Sequence, residues 1–261
     1  MEYVNAWLTD AGVVLGLMVA IWLVSLALRN SGIVDIFWGS GFVIVTWVSY
    51  ALVDGYLPRR LLLAALVTIW GLRLSLYLLW RTRGKPEDFR YARWRQESGS
   101  RWWWVSFFKV FLLQGVLLWI ISAPLIVAEF SPTPASLGLV EALAVGIWAI
   151  GFFFEAVGDW QLSRFKADPA NHGKLLETGV WRTTRHPNYF GDAVQWWGFY
   201  LFAVAAGGAW TIFSPLLMTF LLIRVSGAGM LEKTLQDSKP GYRAYMERTS
   251  PFVPWFRRGP R

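Results

Sequence analysis

Apolar positions along the chain gather into seven runs, each about 20 residues long, with polar stretches between them. The hydrocarbon core of a bilayer is about 30 Å thick, and a helix of about 20 apolar residues crosses it. We therefore predict an all-α membrane protein with seven transmembrane helices. The predicted spans are roughly 11–28, 33–53, 61–80, 106–128, 138–158, 188–207 and 209–230.

The composition agrees with this class. Of 261 residues, 55% are hydrophobic and 17% aromatic, and 18 are tryptophans, which is more apolar than a soluble domain of this length. Because the predicted spans use most of the length, we predict one integral membrane domain over residues 1–261. The first span follows "MEYVNAWLTDAG", which lacks a basic stretch, so we expect a retained helix and not a cleaved signal peptide.

The charged loops predict the orientation of the spans. Segments 81–104, 159–187 and 231–261 contain seven, five and seven lysines and arginines, whereas the loops "DGYLP", "EFSPTPAS" and "AAGGA" contain none. Lysine and arginine accumulate on the cytoplasmic side of membrane proteins. We therefore expect the N-terminus outside and the C-terminus in the cytoplasm. The same rule accounts for the net charge of +8, so we predict no nucleic-acid partner.

The residue types exclude several kinds of site. The chain has no cysteine and only two histidines, His172 and His186. Disulfides, thiolate nucleophiles, iron–sulfur clusters and three-histidine metal sites are therefore excluded, and we predict no metal. A retinal protein would need a lysine deep in the last span, where the only charged residue is Arg224.

The sixth span begins with an unusual polar sequence, "RTTRHPNYFGD", residues 182–192. Pro187 suits the first turn of a helix, and the free N–H groups of a helix start beside Arg185 and His186 form a candidate anion site. Further polar or aromatic positions form a stripe along this helix. They are Asn188, Asp192, Gln195 and Trp196. The stripe either packs through hydrogen bonds between helices or contacts a ligand.

Other spans carry ionisable residues near their predicted cytoplasmic ends, where such groups usually face a cavity or a partner. Glu155 and Asp159 lie one turn apart at the end of the fifth span, and Asp159 either pairs with a basic loop residue or lines a cavity. Asp35 either caps the second helix or lines a cavity near Trp38. One face of the third span carries Trp70, Arg73, Tyr77 and Trp80. We predict a cytoplasm-facing pocket for a polyanionic cofactor, with an apolar substrate entering from the membrane lipid.

The segment "TGVWRTTRHPNYFGDAVQWWG" resembles the carboxy-terminal signature of the steroid 5α-reductase family, and sterol reductases carry a close variant. The upstream segments "SGIVDIFWG" and "RGKPEDFRYARWR" and the tail "KPGYRAYMERTSPFVPWF" resemble bacterial members of that family, so the resemblance covers nearly the whole chain. Isoprenylcysteine carboxyl methyltransferases share the Arg-His-Pro-x-Tyr core. The Asn-Tyr-x-Gly-Asp continuation is more typical of the reductases.

The resemblance implies a bacterial inner-membrane enzyme that binds NADPH from the cytoplasm, mainly through residues 150–261. It implies reduction of the Δ4 double bond of a 3-oxo-steroid or a similar lipophilic enone, and we expect a monomer. By position, Asn188, Tyr189 and Asp192 correspond to contacts with the nicotinamide or its ribose. The other cofactor-binding candidates are Arg73, Arg83, Asp159, Arg164, Arg182, Arg185, His186, Trp196 and Tyr242, the last in a tail expected to pack back on the helices.

The reaction needs a hydrogen-bond donor at the substrate ketone. Hydride attack at the β-carbon of an enone places negative charge on the ketone oxygen, and a donor there stabilises the transition state. A carboxyl in apolar surroundings can keep its proton at neutral pH, so we assign this donor to Asp35, with Trp38 or Tyr77 as a helper. If Asp35 is only a helix cap, the remaining candidates are Glu155, Tyr77 and Tyr91.

Departures from the family and two rival functions bear on the substrate. Eukaryotic members carry Gln-Glu near the position of Asp35, and a His and a Tyr where this chain reads "RVSGAGMLEK".

A membrane methyltransferase that uses S-adenosylmethionine is one rival, although a cofactor without phosphates would not need so many arginines. A non-enzymatic sterol- or lipid-binding scaffold is the other. Surplus guanidinium groups favour NADPH over NADH, because they suit a 2′-phosphate.

Overall fold

The computed structural model describes residues 2–225, 232, 236, 239 and 241–256. These residues fold into helices, and among them there is no β-strand, only an isolated parallel bridge between Thr184 and Ser250. The predicted all-α class is therefore confirmed. The chain divides into two compact units, Met1–Leu137 with Phe202–Thr211, and Gly138–Leu201 with Ile212–Arg261.

The first unit contains three long helices followed by a broken helical segment. The long helices are α1 (Glu2–Leu28), α2 (Ile33–Leu52) and α3 (Leu57–Thr82). The segment consists of α4 (Phe89–Ser98), α5 (Trp102–Ser106), a π-helical stretch (Phe107–Leu112), α6 (Leu113–Ile121) and α7 (Ala123–Phe130). Pro124 lies in the first turn of α7, where its missing N–H costs nothing. α1 starts before the predicted run and includes Asp10, which is buried and accepts a hydrogen bond from Ser49.

Helices α2 and α3 touch through their backbones. A Cβ atom on Gly39 would lie 2.4 Å from the carbonyl oxygen of Gly71, and one on Gly71 would lie 2.5 Å from that of Gly39. Both distances are far below van der Waals contact, so only glycine fits at either position. Small residues of this kind let helices approach closely in membranes. The contact holds the first turns of α2, which carry Asp35, against the second half of α3.

The second unit is built on two long helices and the C-terminal segment. Its helices are α8 (Leu139–Ala167), α9 (Pro187–Ala205), α10 (Phe213–Phe220), a π-helical stretch (Leu221–Val225) and α11 (Tyr242–Arg248). Pro187 is the first residue of α9, as predicted. α8 and α9 also touch through glycines, since a Cβ on Gly191 would lie 2.4 Å from the carbonyl oxygen of Gly151.

Five helices in the described part of the chain are long and apolar enough to cross a membrane. They are Val4–Leu28, Ile33–Leu52, Leu57–Thr82, Phe89–Phe130 and Leu139–Ala167, and they match the first five predicted spans. α9 covers the sixth, but its polar stripe leaves it less apolar than these five. Ala209–Val225 is shorter, and positions 226–230 of the seventh lie outside the described residues. A multi-pass membrane protein is therefore supported, and seven spans stay a prediction.

Reporter tags should test the predicted orientation. We expect an N-terminal tag on the periplasmic side, and tags in the loop 81–104 or at the C-terminus in the cytoplasm, because lysine and arginine concentrate in those segments. Protease accessibility of each tag in spheroplasts and in opened membranes is the measurement. A cytoplasmic N-terminus in an otherwise intact protein would contradict the orientation.

Candidate functional site

Asp35 lies in the first turn of α2 and is the centre of a polar cluster in the first unit. Its Oδ2 is 3.0 Å from Arg90 Nη2, and its Oδ1 accepts a hydrogen bond of 2.7 Å from the Tyr91 hydroxyl. Gln114 Nε2 donates to the same hydroxyl oxygen at 3.1 Å. The N-cap of α2 is Gly32, without a capping side chain. Asp35 is therefore not the N-cap of α2, and its carboxyl binds side chains of other helices.

Helix α4 carries two of the three partners of Asp35, and the third, Gln114 Nε2 at 3.5 Å from Oδ1, lies on α6. Asp88 caps this helix by accepting from the backbone N–H of Arg90 at 3.0 Å, and it also accepts from Arg90 Nε at 2.9 Å. Tyr91 is 3% exposed, whereas the Asp35 side chain is 34% exposed. Asp35 is therefore the more accessible member of this pair.

A second set of contacts ties α4 to the turn between α1 and α2. Glu87 accepts from the backbone N–H of Ser31 at 2.5 Å and forms an ion pair of 2.8 Å with Arg95. Trp102 donates from Nε1 to the Ser31 hydroxyl at 3.2 Å, and the Arg95 guanidinium lies over its ring. The position of α4 against α2 is thus set by charged contacts outside the Asp35 cluster.

The other predicted residues of the first unit lie on α2 and α3. Trp38 is half-buried on α2. Tyr77 lies near Arg73 and Arg81, whose guanidinium carbons are 5.7 and 5.5 Å from its ring centroid. Arg83 directly follows α3 and is exposed. The structure thus brings two predicted residues of α3 together, whereas the tyrosine bonded to Asp35 comes from α4.

In the second unit, one carboxylate bridges two predicted cofactor residues at the start of α9. Arg185 is 7% exposed, and its Nε lies 2.7 Å from Glu232 Oε1. Its Nη1 donates to the carbonyl oxygens of Met246 at 3.0 Å and Thr249 at 2.8 Å. His186 Nε2 is 3.1 Å from the same Glu232 oxygen. These contacts fix the start of α9 to the C-terminal segment.

Further hydrogen bonds join that segment to the residues before α9. The Thr184 hydroxyl donates to the carbonyl oxygen of Phe252 at 2.8 Å, and the Tyr245 hydroxyl donates to that of Trp181 at 2.5 Å. Tyr242, predicted as a cofactor contact, is buried at 3% exposure. Tyr245 is also buried at 3% exposure, whereas Trp255 is 67% and Phe256 88% exposed, so the described tail packs back as predicted around Tyr242 and Tyr245 but not at Trp255.

The charge state of this cluster follows from its contacts. Burial acts to raise the pKa of Glu232, but the hydrogen bonds and charges of His186 and Arg185 outweigh it, so the pKa lies below its ordinary value. Burial, together with the negative charge of Glu232, raises the pKa of the Tyr242 hydroxyl to about 12. At neutral pH Glu232 is therefore ionised and Tyr242 neutral. Arg185 and Glu232 form a partly buried ion pair.

The stripe on α9 makes hydrogen bonds to α8. Asn188 Nδ2 donates to Asp159 Oδ1 at 3.1 Å, and Gln195 Nε2 donates to Glu155 Oε2 at 2.5 Å. Both carboxyl groups are buried, at 4% and 3% exposure. Asn188 and Gln195 therefore form hydrogen bonds between helices, which is the first of the two interpretations of the stripe.

The remaining candidates of the second unit differ in accessibility. Asp192 and Trp196 are buried, and Tyr189 is half-buried in the first turn of α9. Arg164 and Arg182 are exposed, so their guanidinium groups can reach an anionic ligand. Among the described residues, no group of three or more His, Cys, Asp or Glu side chains could hold a metal ion.

Sequence reasoning did not single out Arg90, Gln114 or Glu232, and it placed Tyr91 only among the alternatives to Asp35. A polar residue inside the fourth apolar run is a signal for Gln114. Arg90 and Glu232 lie in the segments 81–104 and 231–261, which contain many other charged residues. A single sequence does not indicate which of these charged residues form ion pairs.

Comparisons with known proteins place this arrangement in a family. Residues 21–249 match the model of the family described as "Protein of unknown function (DUF1295)". The Schizosaccharomyces pombe "Uncharacterized protein C594.04c" is 27% identical over an alignment of 264 positions, gaps included, which covers 90% of this chain and 75% of the relative. No solved structure matches the chain. The matched range includes both the Asp35 cluster and the Arg185–Glu232 pair.

Proposed function

Since this chain belongs to the DUF1295 family, a steroid 5α-reductase-like membrane family, we propose that it is an NADPH-dependent reductase. Its substrate is a 3-oxo-steroid or a similar lipophilic enone that enters from the bilayer, and it reduces the Δ4 C=C bond. Seven spans, an external N-terminus, a bacterial inner-membrane location and a monomeric state belong to the same proposal.

The observation that carries the proposal is the hydrogen bond between Tyr91 and Asp35. The Tyr91 hydroxyl lies between an acceptor, Asp35 Oδ1 at 2.7 Å, and a donor, Gln114 Nε2 at 3.1 Å. A hydroxyl proton can rotate about its C–O bond, so the same proton can turn towards a ligand oxygen. A donor held in place inside an apolar bundle stabilises a developing oxyanion far more than one in water.

The two residues and Arg90 have complementary parts in the reaction. NADPH, when bound, supplies a hydride to the β-carbon of the enone. The proton between Tyr91 Oη and Asp35 Oδ1 stabilises the negative charge on the ketone oxygen and is then passed to the substrate. The pair is left with one more negative charge until a proton from water restores it. Arg90, 3.0 Å from Asp35 Oδ2, stabilises the Asp35 carboxylate throughout. The substrate gains one hydride and one proton across its double bond.

The second unit offers side chains suited to NADPH. Arg164 and Arg182 are exposed guanidinium groups, which bind phosphates through paired hydrogen bonds. Asn188 and Tyr189, half-buried in the first turn of α9, suit the amide and hydroxyl groups of the nicotinamide half. Arg185 is engaged with Glu232 and two carbonyl groups, so its part in the proposal is to position this first turn.

Cofactor choice tests the proposal directly. NADPH should raise the thermal unfolding temperature of the purified protein, NADH should do so less, and S-adenosylmethionine should not, because the exposed arginines suit a 2′-phosphate. Arg182→Leu should reduce the preference for NADPH. Arg93→Leu is the matched control, since Arg93 is an exposed arginine of the first unit paired with Glu97.

The same purified protein also serves to distinguish the proposed reductase from the two rival functions. NADPH oxidation across a panel of lipophilic enones is the activity measurement. Stabilisation by S-adenosylmethionine alone would indicate the membrane methyltransferase that shares the Arg-His-Pro-x-Tyr core. Sterol binding without NADPH oxidation would indicate a scaffold.

A further inference from the structure

The ends of two predicted spans meet in the second unit and mark a predicted membrane boundary there. The fifth predicted span ends at residue 158 and the sixth begins at residue 188. A Cβ atom on Gly158 would lie 3.2 Å from the backbone nitrogen of Asn188. The ring nitrogen of Trp181 donates to the Gly158 carbonyl oxygen at 3.0 Å. The residues just before α9 therefore lie level with the end of the apolar part of α8.

The C-terminal segment is held at this boundary. The Thr184 hydroxyl donates to the carbonyl oxygen of Phe252 at 2.8 Å, and the backbone N–H of Trp255 donates to that of Thr183 at 3.0 Å. The Phe252 ring centroid lies 6.0 Å from that of Phe190, at the start of α9. Phe252 thus packs on the helices, and the residues after it are fixed in place.

Beyond Phe252, the segment presents large apolar side chains outward. Val253 is 58%, Trp255 67% and Phe256 88% exposed. Three such side chains within four residues are costly in water, and exposed apolar patches mark contacts with another molecule or with a membrane. The proposed reaction uses none of them.

The neighbouring helix identifies lipid as the partner. Before Gly158, α8 carries exposed apolar side chains that face lipid in a membrane-crossing helix, among them Leu143, Ile150 and Phe153. Trp160, two residues beyond Gly158, is exposed as well. Tryptophan concentrates at the membrane–water interface because its ring is apolar and its N–H is polar. The lipid-facing surface of α8 therefore ends at the level at which the C-terminal segment is held.

We propose that residues 253–256 insert into the lipid headgroup region on the side where α9 begins, and so anchor the C-terminal segment to the bilayer surface. Arg257 and Arg258 follow directly in the sequence and suit the phosphate groups of a phospholipid surface. Through the hydrogen bond of Trp255 with Thr183, the anchor also holds the residues that precede α9. The anchor is independent of the proposed reductase activity.

Spin labels on single cysteines test this anchor in the full chain, reconstituted in vesicles of phosphatidylcholine and phosphatidylglycerol. The chain has no native cysteine, so each label has one position. Electron paramagnetic resonance measures collisions of the label with oxygen, which concentrates in lipid, and with a water-soluble nickel chelate. Ile150→Cys is the lipid reference and Ala167→Cys the water reference, since both are exposed on α8, about 12 Å before and about 14 Å beyond Gly158. For Val253→Cys and Phe256→Cys, we expect an oxygen-to-nickel collision ratio between the two references.

A second measurement removes the anchor and keeps the label. Trp255→Ser combined with Phe256→Ser should lower the ratio of a label at position 253 to that of the Ala167 reference. Trp103→Ser removes an exposed tryptophan of the first unit and is the control, which should leave the ratio unchanged.

Three results would overturn the proposal. The first is a ratio equal to the Ala167 reference at both positions 253 and 256. The second is an unchanged ratio at position 253 in the double serine variant. The third is shielding of both labels from oxygen and from the chelate, with spectral broadening between labels, which would identify a second copy of this chain as the occupant.

Discussion

Tyr91→Phe and Asp35→Asn should each slow hydride transfer about 100- to 1000-fold, the usual cost of losing one oxyanion donor. NADPH affinity should stay nearly unchanged, because the shared proton acts mainly in the transition state. Single-turnover NADPH oxidation, together with NADPH titration of each variant, separates the two quantities. The expected result is a lower rate at saturating cofactor with a similar Kd.

Tyr50→Phe is the matched control for this experiment. Tyr50 lies at the other end of α2 from Asp35, with its ring against Arg60, so removal of its hydroxyl should leave the transfer rate close to that of the wild type. Asn188→Ala should show the opposite pattern to the Asp35 variants, with weaker NADPH binding. If Asp35 variants bind NADPH poorly but turn over normally once saturated, Asp35 belongs to the cofactor side. If the Asp35 variants show wild-type kinetics, the role of Asp35 is limited to anchoring α4.

Arg185→Met should destabilise the second unit by about 1.5–3 kcal/mol, the usual cost of losing hydrogen bonds to a charged group, because the partly buried Glu232 keeps only His186 as a partner. Glu232 would lose its closest partner, and the carbonyl groups of Met246 and Thr249 would lose their donor. We expect a lower thermal unfolding temperature and faster amide exchange over residues 241–256. Hydrogen exchange with mass spectrometry localises the effect to that segment.

Arg248→Met separates this effect from the loss of any arginine in the same segment. Arg248 pairs with both carboxyl oxygens of Glu177, at 3.0 and 2.7 Å, but its side chain is 38% exposed. Exposed ion pairs contribute about 0–1 kcal/mol, so this variant should be nearly as stable as the wild type. Equal losses for the two variants would show that Arg185 has no special role at the start of α9.

Several features were readable from local sequence. The second predicted span, 33–53, corresponds to Ile33–Leu52, and the fifth, 138–158, begins one residue before the helix Leu139–Ala167. α9, which corresponds to the sixth predicted span, begins at Pro187 because proline suits a first helical turn. Such features depend on neighbours within a few positions or on the solvent around a span. A single sequence contains both kinds of information.

Partners distant in sequence were not readable. Asp35 meets Arg90 and Tyr91 across 55 and 56 positions, and Arg185 meets Glu232 across 47. Glu129 stands in a stretch that the sequence assigns to a loop, yet α7 extends to Phe130 and the side chain is fully buried. Which of many similar charges meet depends on how the helices pack, and packing is a property of the whole unit.

The sequence by itself therefore determined the all-α class, the multi-pass membrane character, most helix positions and the family motif around the start of α9. These features follow from the length of the apolar runs, the backbone geometry of proline and a short local sequence motif. Only the tertiary structure decided that Asp35 binds Tyr91 and Arg90 and does not cap α2, and that Arg185 holds the tail. The physical reason is that contacts between distant residues, such as that of Glu87 with Ser31, set the position of α4 against α2, and this position selects which polar groups can satisfy one another.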